Sequence, residues 1–307
     1  MEFGLHLPDA GQMATREAML AYARTAEETG FASVWSSDHI AWPDPATLAS
    51  KYPYADDNSG FPPPNSPWLD CIASLQFVAA VTERVRLGTT VLIIGYRGAL
   101  QQAKAWATLD HLSGGRAILG VGVGWMKEEF EAIGMPWDRR GERADEFLEI
   151  FEALFTQDAV SFDGPFTRFG PIGFSPKPVN GTIPVWVGGH TPAAYRRTAK
   201  YGSAFHSAFS SVERLRGEWE GVQRACEAIG RDPGEIELTM LCNLVFDHTS
   251  DKPGVLSGSE QQVIDQLAAY AEIGVTHTVV FCAARGGLDG RLDAVRRFAS
   301  QVLPHVD

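Results

Sequence analysis

Strand-like and helix-like segments alternate along the 307 residues of this chain from one end to the other. Eight short apolar runs predict strands at Phe3–Leu7, Ser33–Ser37, Arg86–Leu92, Ala117–Val123, Val185–Gly188, Ser203–His206, Glu237–Phe246 and His277–Cys282. Helix-like stretches separate or follow them, at about Thr15–Thr29, Asp70–Thr82, Leu100–Leu112, Arg139–Phe155, Pro192–Tyr201, Ser211–Ile229, Ser259–Ile273 and Gly290–Leu303. This alternation favours a parallel α/β fold, and eight strands is the number that a closed (β/α)8 barrel, or TIM barrel, requires.

Two insertions interrupt the alternation within what we expect to be one domain, residues 1–307. The first, at about 42–67, is so rich in proline that it excludes a regular helix or a central strand. It follows the second strand directly, so we expect a lid over the C-terminal mouth of the barrel or a disordered segment. The second, at about 159–180, carries four phenylalanines among glycines and prolines and predicts a small hairpin packed across the barrel.

Composition narrows the possible partners. A formal net charge of −12 argues against nucleic acid and anionic membranes as general partners, because both are negatively charged. No apolar run approaches the roughly 18 residues of a membrane span, and no secretory signal is visible. The four cysteines are scattered without a CxxC motif, which indicates reduced, buried thiols. We therefore expect a cytoplasmic protein that acts on a small molecule.

The second predicted strand ends in Asp38 and His39, polar residues for which a buried strand has no packing need. In a TIM barrel, ligands bind at this end of the strands. An imidazole there suits proton transfer near neutral pH, and Asp38 would hold His39 or bind a cofactor ring. The alternative is a solvated acid and a capping imidazole without function.

The fourth strand carries alternating glycines, in the run Gly120-Val121-Gly122-Val123-Gly124-Trp125 that includes its end. Such glycines weaken a strand unless something approaches its backbone closely. The run is not the dinucleotide fingerprint G-x-G-x-x-G, because Trp125 occupies the place of its last glycine. A flat ring across the mouth, contacting Gly122 and Gly124, would explain the missing side chains. Glycines that merely fit the taper of the barrel remain the alternative.

The fifth strand runs into Gly188-Gly189-His190, and Thr191 and Pro192 then open a helix. Backbone N–H groups at such a helix start bind phosphate well, so Gly188, Gly189 and His190 are candidate cofactor ligands. An ordinary strand-to-helix turn is the alternative.

Two weaker signals complete the candidate site. The hydroxyls of Thr89 and Thr90, followed by Val91, lie near the end of the third strand, and Arg285 follows the last strand, where it could meet a phosphate or an acidic tail. No HExxH or other metal-ligand spacing occurs, so we assign no metal. A G-x-S-x-G elbow and a P-loop are also missing from the sequence.

Together these motifs resemble the bacterial luciferase-like superfamily of flavin and deazaflavin oxidoreductases over almost the whole chain. The resemblance is strongest from Leu109-Asp110-His111-Leu112-Ser113-Gly114-Gly115-Arg116 through the glycine run to Glu128-Glu129-Phe130 and Arg140-Gly141-Glu142-Arg143. It implies a TIM-like barrel with insertions and a cofactor across the C-terminal mouth.

Within that superfamily, members that use the deazaflavin coenzyme F420 are most similar to this chain at Ser37-Asp38-His39. The resemblance implies that Asp38 and His39 contact the deazaflavin, with His39 at its reactive face. It also implies that Gly188 and Gly189 bind the cofactor phosphate. Thr89, Thr90 and Val91 match a strand in which relatives often carry a non-proline cis peptide.

Two features depart from the relatives that oxidise sugar phosphates. Those relatives carry a glutamate in the glycine-rich strand, whereas the run from Gly120 to Trp125 contains no acid. They also place a tryptophan shortly after the Asp-His pair, and the spacing of Trp42 is one residue short. A sugar-phosphate substrate is therefore not expected.

The resemblance thus implies an enzyme that transfers hydride between F420 and a small organic substrate. The first alternative is an FMN-dependent monooxygenase, for which a separate flavin reductase would be a partner. The second is a flavin-binding protein without turnover. The family's barrels commonly pair, so we expect a homodimer.

Overall fold

The computed structural model describes residues 1–44, 48–51, 63 and 65–306 and contains the predicted barrel. The described strands are β1 (Glu2–His6), β2 (Ser33–Ser36), β3 (Arg86–Thr89), β4 (Leu92–Ile93), β5 (Ala117–Gly122), β6 (Ala159–Asp163), β7 (Arg168–Gly173), β8 (Val185–Gly188), β9 (Ala204–Ala208), β10 (Glu237–Phe246), β11 (Val255–Gly258) and β12 (Val275–Cys282). The described α-helices are α1 (Arg16–Thr29), α2 (Cys71–Ala79), α3 (Ala99–Ser113), α4 (Lys127–Ala132), α5 (Arg140–Thr156), α6 (Pro192–Tyr201), α7 (Val212–Glu227), α8 (Glu260–Ala271) and α9 (Gly287–Gln301). None of these helices is both long and apolar enough to cross a membrane.

Eight strands pair in parallel in the order β1, β2, β3, β5, β8, β9, β10 and β12, and β12 pairs back with β1. The sheet is therefore closed, and the prediction of a TIM barrel with eight strands is confirmed. The loops after the C-terminal ends of these strands form one face of the molecule, which we call the mouth.

Three elements of the structure, β4, β11 and α4, were not predicted from the sequence. The predicted strand Arg86–Leu92 is divided into β3 and β4 by a cis peptide between Thr90 and Val91, as the resemblance implied. β11 extends the sheet outside the barrel by pairing with β10. Helix α4 has six residues, too few for a periodic apolar pattern to be recognised.

The second insertion forms the predicted hairpin, with β6 and β7 antiparallel. It packs against α5 rather than across the barrel. The backbone N–H of Phe166 at the hairpin tip donates to Glu146 of α5 at 3.0 Å, and the Arg143 guanidinium lies 4.1 Å from the Phe166 ring centroid. The prediction that it crosses the barrel is therefore wrong, because α5 offers the polar and aromatic contacts that hold it outside.

The predicted lid at 42–67 lies largely outside the described residues, which omit 45–47, 52–62 and 64. The described stretch 48–51 is fixed to α4. The backbone N–H groups of Ala49 and Ser50 donate to Glu128 Oε1 at 2.7 and 3.0 Å, and the Ser50 hydroxyl donates to Oε2 at 2.6 Å.

Two tryptophans, with their rings tilted by 34° to each other, fill the inside of the barrel. Trp35 and Trp186 are fully buried, with ring centroids 4.7 Å apart. A Cβ at Gly4 or Gly88 would lie only 2.4 Å from atoms of Trp35. Bulky aromatic residues and glycines therefore alternate around the interior because each large ring takes the space of its neighbours' side chains.

A neutral histidine lies against this aromatic pair. Thr239 Oγ1 donates to the Phe205 carbonyl, so His206 Nδ1 donates to Thr239 Oγ1 at 2.8 Å and His206 Nε2 accepts from the Thr90 hydroxyl at 2.9 Å. Burial, with a contribution from the nearby His277, lowers the pKa of His206 to about 3.

Because folded His206 excludes a proton that the unfolded chain accepts near pH 6.5, stability should fall as pH drops from about 6.5 towards 3. This one group would contribute up to about 1.4 kcal/mol per pH unit over that window. The slope of unfolding free energy against pH, measured with urea between about pH 7 and 5, should be shallower in His206→Gln than in the unmodified chain. Equal slopes would contradict the assignment, whatever the variant's absolute stability.

Candidate active site at the barrel mouth

His39 is held by a carboxylate that the strand pattern does not reveal. His39 Nδ1 lies 2.8 Å from Glu129 Oε2, and Glu129, on α4, is fully buried. A carboxylate only accepts hydrogen bonds, so Nδ1 carries a proton and Nε2 is the nitrogen that can accept or release one. The pair therefore has the arrangement of a general acid–base with an orienting acid.

Glu129 has further donors around it. The Tyr96 hydroxyl donates to Oε2 at 2.6 Å, and the backbone N–H groups of Ile40 and Ala41 donate to Oε1 at 2.6 and 3.1 Å. Burial raises the pKa of the Glu129 carboxyl, but the hydrogen bonds from His39, Tyr96 and Ile40 outweigh it and leave that pKa below its usual value. Glu129 is therefore a carboxylate beside His39 at neutral pH.

Asp38 has a different partner from the one expected. Its side chain accepts two hydrogen bonds from Arg97, at 2.8 and 2.9 Å, and a third from the backbone N–H of Ile93 at 3.0 Å. Arg97 also donates to Asp70 at 2.7 Å. The expectation that Asp38 holds His39 was wrong, because Glu129 occupies Nδ1 and Arg97 occupies Asp38. Asp38 anchors the strand end that carries His39.

The Ser37 hydroxyl and a second histidine, His6, lie at the mouth beside His39. His6 Nδ1 donates to the Leu7 carbonyl at 2.7 Å, so His6 Nε2 accepts from the Ser37 hydroxyl, also at 2.7 Å. The Ser37 hydroxyl lies 3.3 Å from the carbonyl of Thr90, next to the cis peptide. Sequence reasoning did not select His6 or the Ser37 side chain, because a histidine inside an apolar strand carries no distinctive pattern.

Buried Asp9 fixes the end of β2 from below. Its Oδ2 accepts from the Ser36 hydroxyl at 2.7 Å and from the backbone N–H of Ser37 at 2.6 Å. Burial raises the pKa of Asp9 above its ordinary value despite these hydrogen bonds. The hydroxyls of Ser36 and Ser37 thus have separate partners, Asp9 for Ser36 and His6 for Ser37.

The glycines of β5 are explained by packing. A Cβ would lie 1.8 Å from the Thr89 carbonyl oxygen at Gly120, 2.5 Å from Val91 at Gly122 and 2.7 Å from Phe130 at Gly124. Neighbouring protein atoms already fill the space that a cofactor ring was expected to need. Gly122 and Gly124 therefore give no independent indication of a bound ring.

The remaining predicted residues of the third strand divide into two environments. Thr89 is fully buried and its hydroxyl donates to the Gly120 carbonyl at 2.8 Å, which turns it away from the mouth. Thr90 bonds His206, and the Val91 side chain lies against both Gly122 and Gly188. Arg285 is exposed in the loop between β12 and α9.

The Gly188-Gly189-His190 turn contains a second histidine–carboxylate pair. Thr191 caps α6, and Gly189 has φ +128°, a conformation that favours glycine. His190 Nδ1 lies 2.8 Å from Glu218 Oε1. The other Glu218 oxygen accepts from the Ser207 hydroxyl at 2.7 Å.

Glu218 is buried, and sequence reasoning missed it because it lies within α7, 28 residues beyond His190. Arg214 also donates to it, at 2.9 Å. Burial raises the pKa of Glu218, but hydrogen bonds from His190, Ser207 and Arg214 outweigh this and lower the pKa overall. His190 is therefore oriented by a carboxylate, as His39 is.

Comparison with known proteins identifies the family of this chain. Residues 1–253 match the family model described as luciferase-like monooxygenase. An FMNH(2)-dependent dimethylsulfone monooxygenase of Pseudomonas putida is 34% identical over 155 residues, 49% of this chain and 42% of that protein. An F420-dependent glucose-6-phosphate dehydrogenase of Amycolatopsis mediterranei is 28% identical over 240 residues, 76% of this chain and 66% of that protein.

Solved structures with the same fold include an F420-dependent enzyme. The solved structure of an F420-dependent secondary alcohol dehydrogenase, in complex with an F420-acetone adduct, superposes with a TM-score of 0.81 at 18% identity and covers 100% of this chain and 99% of that one. At that identity the likeness shows the fold alone. The sequence match over residues 1–253 shows the family: this chain belongs to the luciferase-like monooxygenases, whose relatives here are flavin- or F420-dependent oxidoreductases.

Proposed function

We propose that this protein uses coenzyme F420 to transfer hydride to or from a small organic substrate, with His39 as the acid–base. The observation that carries the proposal is the buried Glu129 carboxylate fixing His39 Nδ1 at the mouth of the barrel. The F420-dependent relative, which matches 76% of the chain, supports the choice of cofactor.

The donor set at the mouth suits a flat, neutral ring with an anionic side chain. The Ser37 and Thr90 hydroxyls beside the cis peptide donate to His6 and His206, so their oxygens are left to accept hydrogen bonds from the polar N–H edge of a ring. Gly189 and the residues at the start of α6 offer backbone N–H groups for a phosphate, and His190 is held beside them by Glu218. When bound, the deazaflavin would supply the hydride chemistry, and the protein would supply position and proton transfer.

His39 of this chain could accept and return the proton of the substrate hydroxyl. As an alcohol substrate loses hydride, its hydroxyl proton would pass to Nε2 of His39, and the reverse reaction would return that proton to a carbonyl oxygen. The negative charge of Glu129 would stabilise the imidazolium formed on the way, at a contact of 2.8 Å. Asp38 and Arg97 would hold the strand end that positions the imidazole.

The second candidate is an FMN-dependent monooxygenase that receives reduced FMN from a separate reductase. The dimethylsulfone monooxygenase, 34% identical over 155 residues, favours it. Oxygen consumption in the presence of reduced FMN would be its signature.

Titration of the protein with F420 and, separately, with FMN tests the proposal. Quenching of tryptophan fluorescence should show saturable F420 binding, with FMN at least about tenfold weaker. Gly189→Ala should weaken F420 binding, whereas Gly181→Ala, also at a positive φ, should not. Saturable binding of FMN without binding of F420 would overturn the proposal in favour of the monooxygenase.

A further inference from the structure

Three tryptophan rings lie close to the imidazole of His39. The ring centroids of Trp42 and Trp68 lie 4.4 and 4.6 Å from the imidazole, each at a steep angle to it, and that of Trp125 lies 6.4 Å away. All three tryptophans are only partly buried. Partly exposed indoles grouped around a candidate acid–base are typical of the apolar wall of a ligand pocket.

Trp68 is held in this wall by backbone contacts of its own. It forms an antiparallel bridge with Ala10, flanked by hydrogen bonds from the Gly11 N–H to the Pro67 carbonyl at 2.8 Å and from the Leu69 N–H to the Asp9 carbonyl at 2.9 Å. Its indole is also stacked against that of Trp42, at 5.2 Å and 7° between the planes. The loop after β1 thus fixes Trp68 beside His39.

The charges around His39 oppose an anionic substrate. Glu129 is a carboxylate in direct contact with the imidazole. The nearby cation, Arg97, is already bound to Asp38 and Asp70. Within the described part of the chain, no lysine or arginine forms an ion pair with Glu129 or lies over the ring of Trp68. A phosphate or carboxylate beside His39 would therefore lose hydration without gaining a cation, at a cost that apolar contact does not offset.

From the tryptophan wall and this charge arrangement we infer that the substrate that reaches His39 is neutral and largely apolar, and that Trp68 is the residue that selects it. The inference rests on the proposed function, since His39 is taken as the acid–base. It extends that function from a small organic substrate to a neutral, largely apolar alcohol or carbonyl compound without a phosphate.

Calorimetric titration of the protein, with and without F420, can compare cyclohexanol with cyclohexyl phosphate. We expect saturable binding of cyclohexanol, and binding of cyclohexyl phosphate at least about tenfold weaker. Trp68→Ser should weaken cyclohexanol binding about tenfold, and Trp68→Phe should retain most of it, because an aromatic face remains. Trp219→Ser, the same change on α7, is the matched control and should leave binding unchanged.

Equal or tighter binding of cyclohexyl phosphate, binding of neither probe, or cyclohexanol affinity unaffected by Trp68→Ser would each overturn the inference. The readout is binding and needs no turnover. If F420 fails to bind while cyclohexanol binding still depends on Trp68, the cofactor proposal fails and the substrate inference stands.

Discussion

Replacing His39 with glutamine should lower turnover by roughly 100- to 10,000-fold while leaving cofactor affinity within a few-fold of the unmodified protein. Glutamine can still donate to Glu129 from its amide, so the loop that includes Ile40 and Ala41 keeps its anchor. It cannot take up or release a proton near neutral pH. The loss therefore measures proton transfer rather than collapse of the site.

The rate is followed by the change in F420 absorbance with cyclohexanol as substrate, and binding by tryptophan fluorescence. His305→Gln, an exposed histidine near the end of the chain, serves as the matched control and should retain full activity. If His39→Gln keeps more than about a tenth of the activity, His39 is not the acid–base and its role would be structural.

Glu129→Gln separates orientation from charge in the same pair. The amide has the size of the carboxylate, but it no longer stabilises an imidazolium at 2.8 Å. We expect a smaller loss of turnover than in His39→Gln, together with a changed pH–rate profile. Tyr96→Phe, which removes one hydrogen bond to Glu129 and no charge, should leave the shape of that profile unchanged.

The barrel could be predicted from the sequence because each strand and its following helix are local patterns. The cis peptide at Thr90-Val91 came from the resemblance, since no local pattern in the chain demands it. The partners of the site residues could not be predicted in the same way. Glu129 is 90 residues from His39, and Arg97 is 59 residues from Asp38. Only closure of the barrel brings those loops together.

The glycines of β3 and β5 show a second limit to prediction from the sequence. A glycine indicates that something lies close to the backbone, but not what it is. At Gly122 the neighbour is Val91, and at Gly88 it is Trp35, both from this chain. A cofactor would have left the same trace in the sequence. Glu129 gave no signal of its role in the sequence. Acids at the start of a short helix ordinarily interact with solvent and the helix dipole, so the pattern Glu128-Glu129 does not indicate a buried partner of His39.

The largest loss of stability is expected from Arg97→Met. Asp38 is 2% exposed, and without Arg97 its charge would keep only neutral partners, the Ile93 N–H and the Cys71 thiol. Removing one member of a buried ion pair costs about 3–5 kcal/mol, because the remaining charge is left uncompensated. Asp38→Asn combined with Arg97→Met should recover part of that loss, since the buried carboxylate is gone.

Asp70→Ser separates the two ion pairs of Arg97. Serine can still accept from the Ala73 N–H and cap α2, as Asp70 does at 2.9 Å, but it loses the contact with Arg97. Because Asp70 is half exposed, we expect a cost of only about 0–1 kcal/mol. Urea unfolding at neutral pH gives all three values. A loss for Arg97→Met no larger than that for Asp70→Ser would mean that solvent reaches Asp38 and that Arg97 does not hold the strand end carrying His39.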